Sequence, residues 1–528
     1  TSLGGDLVNV AAANAEMQSS GNVSLMAEHG SLSNTFSISV PGDVTMKAKD
    51  NLTTSNYVIR SDKGDILLMS YEGNVVNSSK DGIKAIDGSV GLYGQGVEND
   101  SSVHAKKTID LIAVKETNLS FNDSMELNSA YILEGNVVNN ENGGILIGEE
   151  GVYIGAGGNV TNSGSLFTAT EDSDVSILAM TGDIANNSNF SAPDSAVAYA
   201  AGSINLTALK GTIMNNTVLH AVKNIEIYSH ESVLNGDSSG DYSLFRGIES
   251  ESGDVVIETD GVLLNNAALK TKNGNITLIA RGKQDLSMNI VLGSGVTDDV
   301  IIHTSIYNEQ SGIIEANGGD VLIHGTESVV NKGDITVNEK VMDAQKIGGR
   351  LEIRSDYNSA NYPNGRGGIY SYNVVKGDEN FNIFDSDEMM VISAPHGDFY
   401  NEKNMIVRNG NVELTFGGDV ISLGNEITAI NGDIKITSHS QNGLLLNSKI
   451  KSENGSVEII SDGDMIIFRL EDVNTIQAAK TATLLSNGST IVYGDITALQ
   501  GNANLGSKNG MVIEGDVKAY TGLAGVGA

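Results

Sequence analysis

The chain has 528 residues, more than one ordinary domain holds, with 62 glycines, 4 prolines, no cysteine and no tryptophan. Its 66 acidic and 32 basic residues leave a formal charge of −34, which excludes nucleic acid and anionic lipid as partners because both require a basic face. The lack of cysteine excludes disulfides and thiolate sites, and no apolar run approaches the roughly 18 residues of a membrane span, so no membrane insertion is expected.

From the first residues onward a short phrase recurs. Gly-[Asp/Asn/Ser]-[Val/Ile]-x-[Leu/Ile/Met] begins at Gly21, Gly42, Gly64 and Gly88, then at Gly202, Gly253, Gly274, Gly319, Gly410, Gly432 and Gly455. Uninterrupted neighbours lie 21 to 24 residues apart. A second phrase, Gly-x-[Val/Ile/Leu]-x-Asn, follows the first by 9 residues at Gly21, Gly64 and Gly202. A fixed period of this size predicts a solenoid, in which one unit cannot bury its apolar face until neighbours stack on it. Within a unit the apolar residues alternate, as Val23 with Leu25 and Ile66 with Leu68, which is the period of a strand. The expected fold is therefore all-β, a right-handed parallel β-helix of about 21 to 24 residues and three short strands per coil, with glycines at the corners.

The asparagine that closes the second phrase has a physical role in such a stack. Equivalent side-chain amides, one coil above another, can each donate and accept along the axis. The predicted rungs are Asn34, Asn77, Asn139, Asn162, Asn186, Asn215, Asn265 and Asn447. Ile66, Leu68 and Val75 are expected to point inward beside Asn77.

The units "GDVTMKAKDNLTT", "GDILLMSYEGNVVNSS", "GSINLTALKGTIMNN" and "GDVVIETDGVLLNNAALKTKNGNITLIA" resemble the repeats of filamentous-haemagglutinin-like adhesins, the exoproteins of two-partner secretion in Gram-negative bacteria. The resemblance covers most of the chain outside residues 283–406. It implies a β-helical shaft on the cell surface or in a secreted filament, bearing a region that binds a receptor or glycan on host or neighbouring cells. It also implies an outer-membrane transporter that recognises an amino-terminal secretion domain, a region not in this chain, whose first residues "GGDLVNVAAAN" already read as repeat. An uncapped coil is an open sheet edge, so the chain is expected to be a segment of a longer protein or to self-associate end to end.

Three regions are expected: 1–282 as regular solenoid, 283–406 as irregular solenoid with an aromatic-rich insertion, and 407–528 as regular solenoid continuing beyond the chain end. Residues 357–400 hold eight of the 26 aromatics. Solenoid insertions map to loops on one face, and Tyr and Arg are favoured contact residues, so Tyr357, Tyr362, Arg366, Tyr370 and Tyr372 are the candidate partner-binding residues.

Catalytic patterns are sparse. Galacturonan hydrolases share this fold and need clustered carboxylates with a cation; Asn235-Gly-Asp237, Asp298-Asp299, His324-Gly325 and Arg281-Gly-Lys283 are fragments of that pattern in the wrong order. The eight histidines show no pair at zinc-ligand spacing, and no cofactor is expected beyond Ca²⁺ held loosely at acidic corners. The reading is thus an extracellular, non-enzymatic adhesin shaft. A subunit of a polymeric fibre and, further off, a polysaccharide lyase or hydrolase are its alternatives.

Overall fold

In a computed structural model the described residues are 5–9, 16–55, 57–114, 133–140, 144–187, 197–236, 247–291, 297–342, 345–347, 349–358, 367–371, 383–469 and 475–527. They are all β, a right-handed parallel β-helix with no helix among the described residues. The chain forms two compact units, Thr1–Val256 and Ile257–Ala528.

In the first unit each coil carries three walls. Strands of the first wall, such as Val23–Ala27, Val44–Ala48 and Ile66–Ser70, pair in parallel with Val23 beside Val44 and Val44 beside Ile66. The second wall stacks Leu32–Asn34, Leu52–Ser55 and Val75–Ser78, and the third stacks Ser37–Val40, Ile59–Ser61 and Ile83–Ala85. Ile66, Leu68 and Val75 are fully buried, as is Asn77.

Alternation explains why these short strands hold. Every second residue enters an apolar column, and the backbone of each coil bonds to the next, so neither coil can form its core alone. The third inward position of the first wall has little room beside the corner, and small residues fill it: Ala27, Ala48 and Ser70 in one stack, Ala156, Ala179, Ala208 and Ser229 in another. Where that residue is serine its hydroxyl also caps a corner carbonyl, as Ser229 does to Gly211 O at 2.7 Å.

The second unit is built alike. In the region expected to lose its phase, residues 283–406, the three walls persist. Ile276 pairs with Val321 and Val321 with Leu351 on the first wall, Val329 with Ile369 and Ile369 with Phe399 on the second, and Ile314 with Ile335 on the third. What changes is the punctuation. An antiparallel hairpin of Gln284–Val291 and Thr297–Asn308 leaves the stack, and its last residues, Ile306 to Asn308, rejoin the second wall against Leu263–Asn265. A smaller antiparallel pair, Lys340–Met342 with Gln345–Ile347, departs further on. Neither removes the corner glycine, since Gly282 still bonds to Gly261 O and Gly349 to Gly319 O; the hairpins are added beside these corners while the inward residues keep their order. Phe399 and Phe416 stack with centroids 4.3 Å apart in a coil where Phe416 takes the usual small-residue position.

Candidate functional site

The most ordered polar feature is a ladder of buried amides along the second wall. In the first unit Asn77 Nδ2 donates to Asn99 Oδ1 at 2.7 Å, Asn99 to Asn139 at 2.8 Å, Asn139 to Asn162 at 2.8 Å and Asn162 to Asn186 at 2.7 Å. Asn186 donates to Asn215 and Asn215 to Asn235, each at 2.9 Å. Asn99, Asn139, Asn162 and Asn215 also tie their own corners, as Asn162 does to Gly164 O at 3.1 Å. Below Asn77 the rung is a threonine: Thr54 Oγ1 donates to Asn77 Oδ1, whereas Asn34 accepts from Asn9. In the second unit Asn265 donates to Asn308 and Asn308 to Asn331, both at 2.7 Å.

Asn9, Asn99, Asn235, Asn308 and Asn331 thus join the expected rungs. The glycine at the head of the second phrase hides all but Asn9: Gly96 stands one place too near Asn99, and Glu231 replaces glycine before Asn235. An apolar-x-Asn triplet recurring about every coil is the signal that finds them.

Asn447 is a correction. It is half-buried, and the inward residues around it are Leu444, Leu446 and Ser448 on the strand Leu444–Ser452. Leu446 lies beside Ser422, which lies beside Asn401, so leucine occupies the rung. After Gly443, at φ +110°, the first rather than the second residue turns inward. A shift of one residue sends every side chain to the opposite face.

The second unit's ladder also has a gap. Ser371 stands between Asn331 and Asn401 in the wall, and its hydroxyl, fully buried, makes no hydrogen bond. Lys403, with no exposed side-chain surface, reaches across: its Nζ donates to Lys332 O at 3.0 Å and Gly333 O at 2.7 Å, and faces Asp334 Oδ1 at 3.8 Å. Burial pushes its amine down to about 8, against the opposing pull of Asp334. Asn401 and Asn425 hold the Lys403 carbonyl, at 2.8 and 2.7 Å.

A second ladder runs outside at the corner before the first wall, where the residue after glycine caps the next coil. Asn22 Oδ1 accepts from Asp43 N at 3.0 Å, Asp43 Oδ1 from Asp65 N at 3.0 Å and Asp65 Oδ1 from Ser89 N at 2.8 Å. In the second unit Asn411 and Asp433 accept in the same way from Asp433 and Ser456, and at the corner before the second wall Asp464 accepts likewise from Ser489. The Asp/Asn of the recurring phrase carries this signal, although in the sequence alone it reads only as a corner preference.

The candidate partner-binding residues fare differently. Tyr357 is 1% exposed, with Gly367 flat against its ring. Tyr370 is likewise 1% exposed and packs with Ile302, Val330 and Tyr400 on the outer flank of the second wall. Large rings here cover a flank rather than face a partner. Tyr362, Arg366 and Tyr372 lie outside the described residues.

Of the hydrolase-like fragments, His324 Nε2 bonds Asp356 at 2.7 Å, while Arg281 pairs with Glu258 and Asp260. Among the described residues no three His, Asp or Glu side chains are placed to hold a metal ion. On the outer face of the first wall, Tyr93 lies over Gly91 and donates to Asp110 Oδ2 at 3.1 Å. Burial raises the Asp110 carboxyl to about 6, against the Tyr93 hydrogen bond. Leu67, Met69, Tyr71, Ile112 and Val114 surround Tyr93 in an apolar layer outside the core. On the second wall Val76 and Val138 floor a shallow cleft rimmed by Asn74, Gln95, Glu98, Glu134 and Asn136.

Comparison with protein-family models, with curated proteins and with solved structures returns no match to this chain.

Proposed function

We propose that the chain is a shaft segment of a large bacterial filamentous adhesin, at the cell surface or secreted, holding a binding or effector region away from the cell. The observation supporting this reading is the in-register stacking of each unit, with an amide ladder inside and a capping ladder outside. A load along the axis is then shared by many backbone and side-chain hydrogen bonds in parallel, which suits a spacer. Its contact with a receptor or glycan is indirect, through a region carried beyond it, and export runs through a transporter that reads another part of the protein.

Two measurements test this. An antibody against the purified chain should label intact cells of the source bacterium; labelling only after lysis overturns the extracellular assignment. Deleting residues 44–65 joins Asp43 to Ile66 and removes one whole coil in register, since Val44 and Ile66 are paired. The shaft reading expects adhesion to survive this deletion and the purified chain to be a poor competitor of it. Strong inhibition of adhesion by the purified chain would make the chain itself the binding surface.

A further inference from the structure

The geometry at the ladder gap points to an intramolecular amide bond between Lys403 Nζ and Asp334 Cγ, a covalent staple across the coil that carries Ser371. Three observations converge on it. The amine and one carboxylate oxygen face each other at 3.8 Å, Lys403 is wholly buried, and Asp334 Oδ1, buried as well, receives no hydrogen bond within bonding geometry. Lys332 O and Gly333 O accept from Nζ at 3.0 and 2.7 Å and hold the amine beside Asp334. The remainder of the Asp334 side chain is 33% exposed, which gives a small product a way out.

The condensation balances without any co-reactant. A proton passes from the Lys403 ammonium, whose charge burial disfavours, to a carboxylate oxygen of Asp334. The freed lone pair attacks Cγ. The Nζ–Cγ bond forms, the Cγ–O bond to the protonated oxygen breaks, and that oxygen departs as water with a second Nζ proton. One N–H remains, with Gly333 O already 2.7 Å from the nitrogen to accept it. Amide formation is unfavourable for dilute acid and amine, but held partners reach effective concentrations on the order of 10⁵ to 10⁸ M. The depressed Lys403 pKa, about 8, means that the neutral amine is accessible near neutrality. The staple would join the corner of Asn331 to the corner of Asn401, the two rungs that Ser371 fails to connect.

Intact-mass spectrometry of the purified full chain decides the matter. The expected mass is that of the sequence less one water, and proteolysis should yield a branched peptide joining Lys403 to Asp334, with no tryptic cut after Lys403. Lys403→Met and Asp334→Ala should each abolish the branch and retain the water. Any fraction carrying the branched peptide supports the staple. The full sequence mass overturns it, as does a lost water mapped elsewhere, for example to a succinimide at Asp81-Gly82. Because the wild-type chain alone separates these outcomes, a variant that fails to fold does not obscure them.

Discussion

Replacing Asn162 by alanine probes the amide ladder at a rung with both neighbours present. Asn162 accepts from Asn139 and donates to Asn186 Oδ1 and Gly164 O, at 2.8, 2.7 and 3.1 Å, and is 1% exposed. Alanine leaves three polar groups without this partner, and Asn139 Nδ2 keeps only its bond to Gly144 O. At about 1 to 3 kcal/mol for each buried group left unsatisfied, with some relief from relaxation, the loss is about 3 to 6 kcal/mol. Repeat stacks need not unfold in one step, so native-state hydrogen exchange resolved to single coils is the suitable assay. Amides of Val160–Asn162 and the adjoining strands should exchange roughly 10² to 10⁴ times faster. Asn447→Ala is the control, because that side chain lies outside the ladder and a change there should stay within about 0.5 kcal/mol. Comparable exchange in both variants would refute the idea that the ladder holds the coils.

Three further outcomes follow from single side chains. Asp110 binds its proton more tightly folded, at about 6, than an ordinary aspartate at 3.8, so its contribution to stability is full below 3.8 and is lost as pH rises through 6. Asp110→Asn should therefore gain up to about 3 kcal/mol at pH 7.5, a gain shrinking toward pH 4, and urea midpoints that move equally at both pH values would contradict it. Gly135 has φ +74°, and a Cβ there would meet the Gln95 carbonyl oxygen at 1.7 Å, whereas a Cβ on Gly21 meets nothing within 4 Å. Gly135→Ala should cost at least about 3 kcal/mol and Gly21→Ala well under 1, read by thermal melts. Tyr370→Ala should destabilise its flank by about 3 to 5 kcal/mol; cell adhesion lost without any fall in stability would restore it as a contact residue.

The period and the inward alternation are legible in the sequence because they depend on neighbours two residues apart. Val75 and Asn77 face inward for the same local reason. What is not legible depends on frame or on distance. Around Gly443 a one-residue shift moves Asn447 out and Leu446 in, and the glycine phrase carries no mark of such a shift. Between 283 and 406 hairpins interrupt the spacing of the phrase, yet the core is set by inward residues such as Val321, Leu351 and Met390, which persist when a hairpin is added beside a corner. Tyr357 and Tyr370 read as exposed because aromatics in an insertion have no period to place them. Lys403 has no local signal at all, since its burial follows from a serine 32 residues earlier, at position 371.

The acidity of the chain takes on a different meaning once the corners are seen. A residue after a corner glycine must present an oxygen to the N–H of the next coil, and Asp43, Asp65, Asp183, Asp433, Asp464 and Asp495 do so. Asparagine fills the same role at Asn22, Asn159 and Asn411, so the requirement is for an acceptor, not for charge. A carboxylate accepts the stronger hydrogen bond, while successive carboxylates one coil apart repel. An amide beside an acid, as Asn22 beside Asp43 or Asn411 beside Asp433, captures the first effect and avoids the second, whereas Asp43 and Asp65 stand as successive carboxylates. Part of the charge of −34 is thereby a property of the stacking, and the sign of the surface says correspondingly less about what the chain meets.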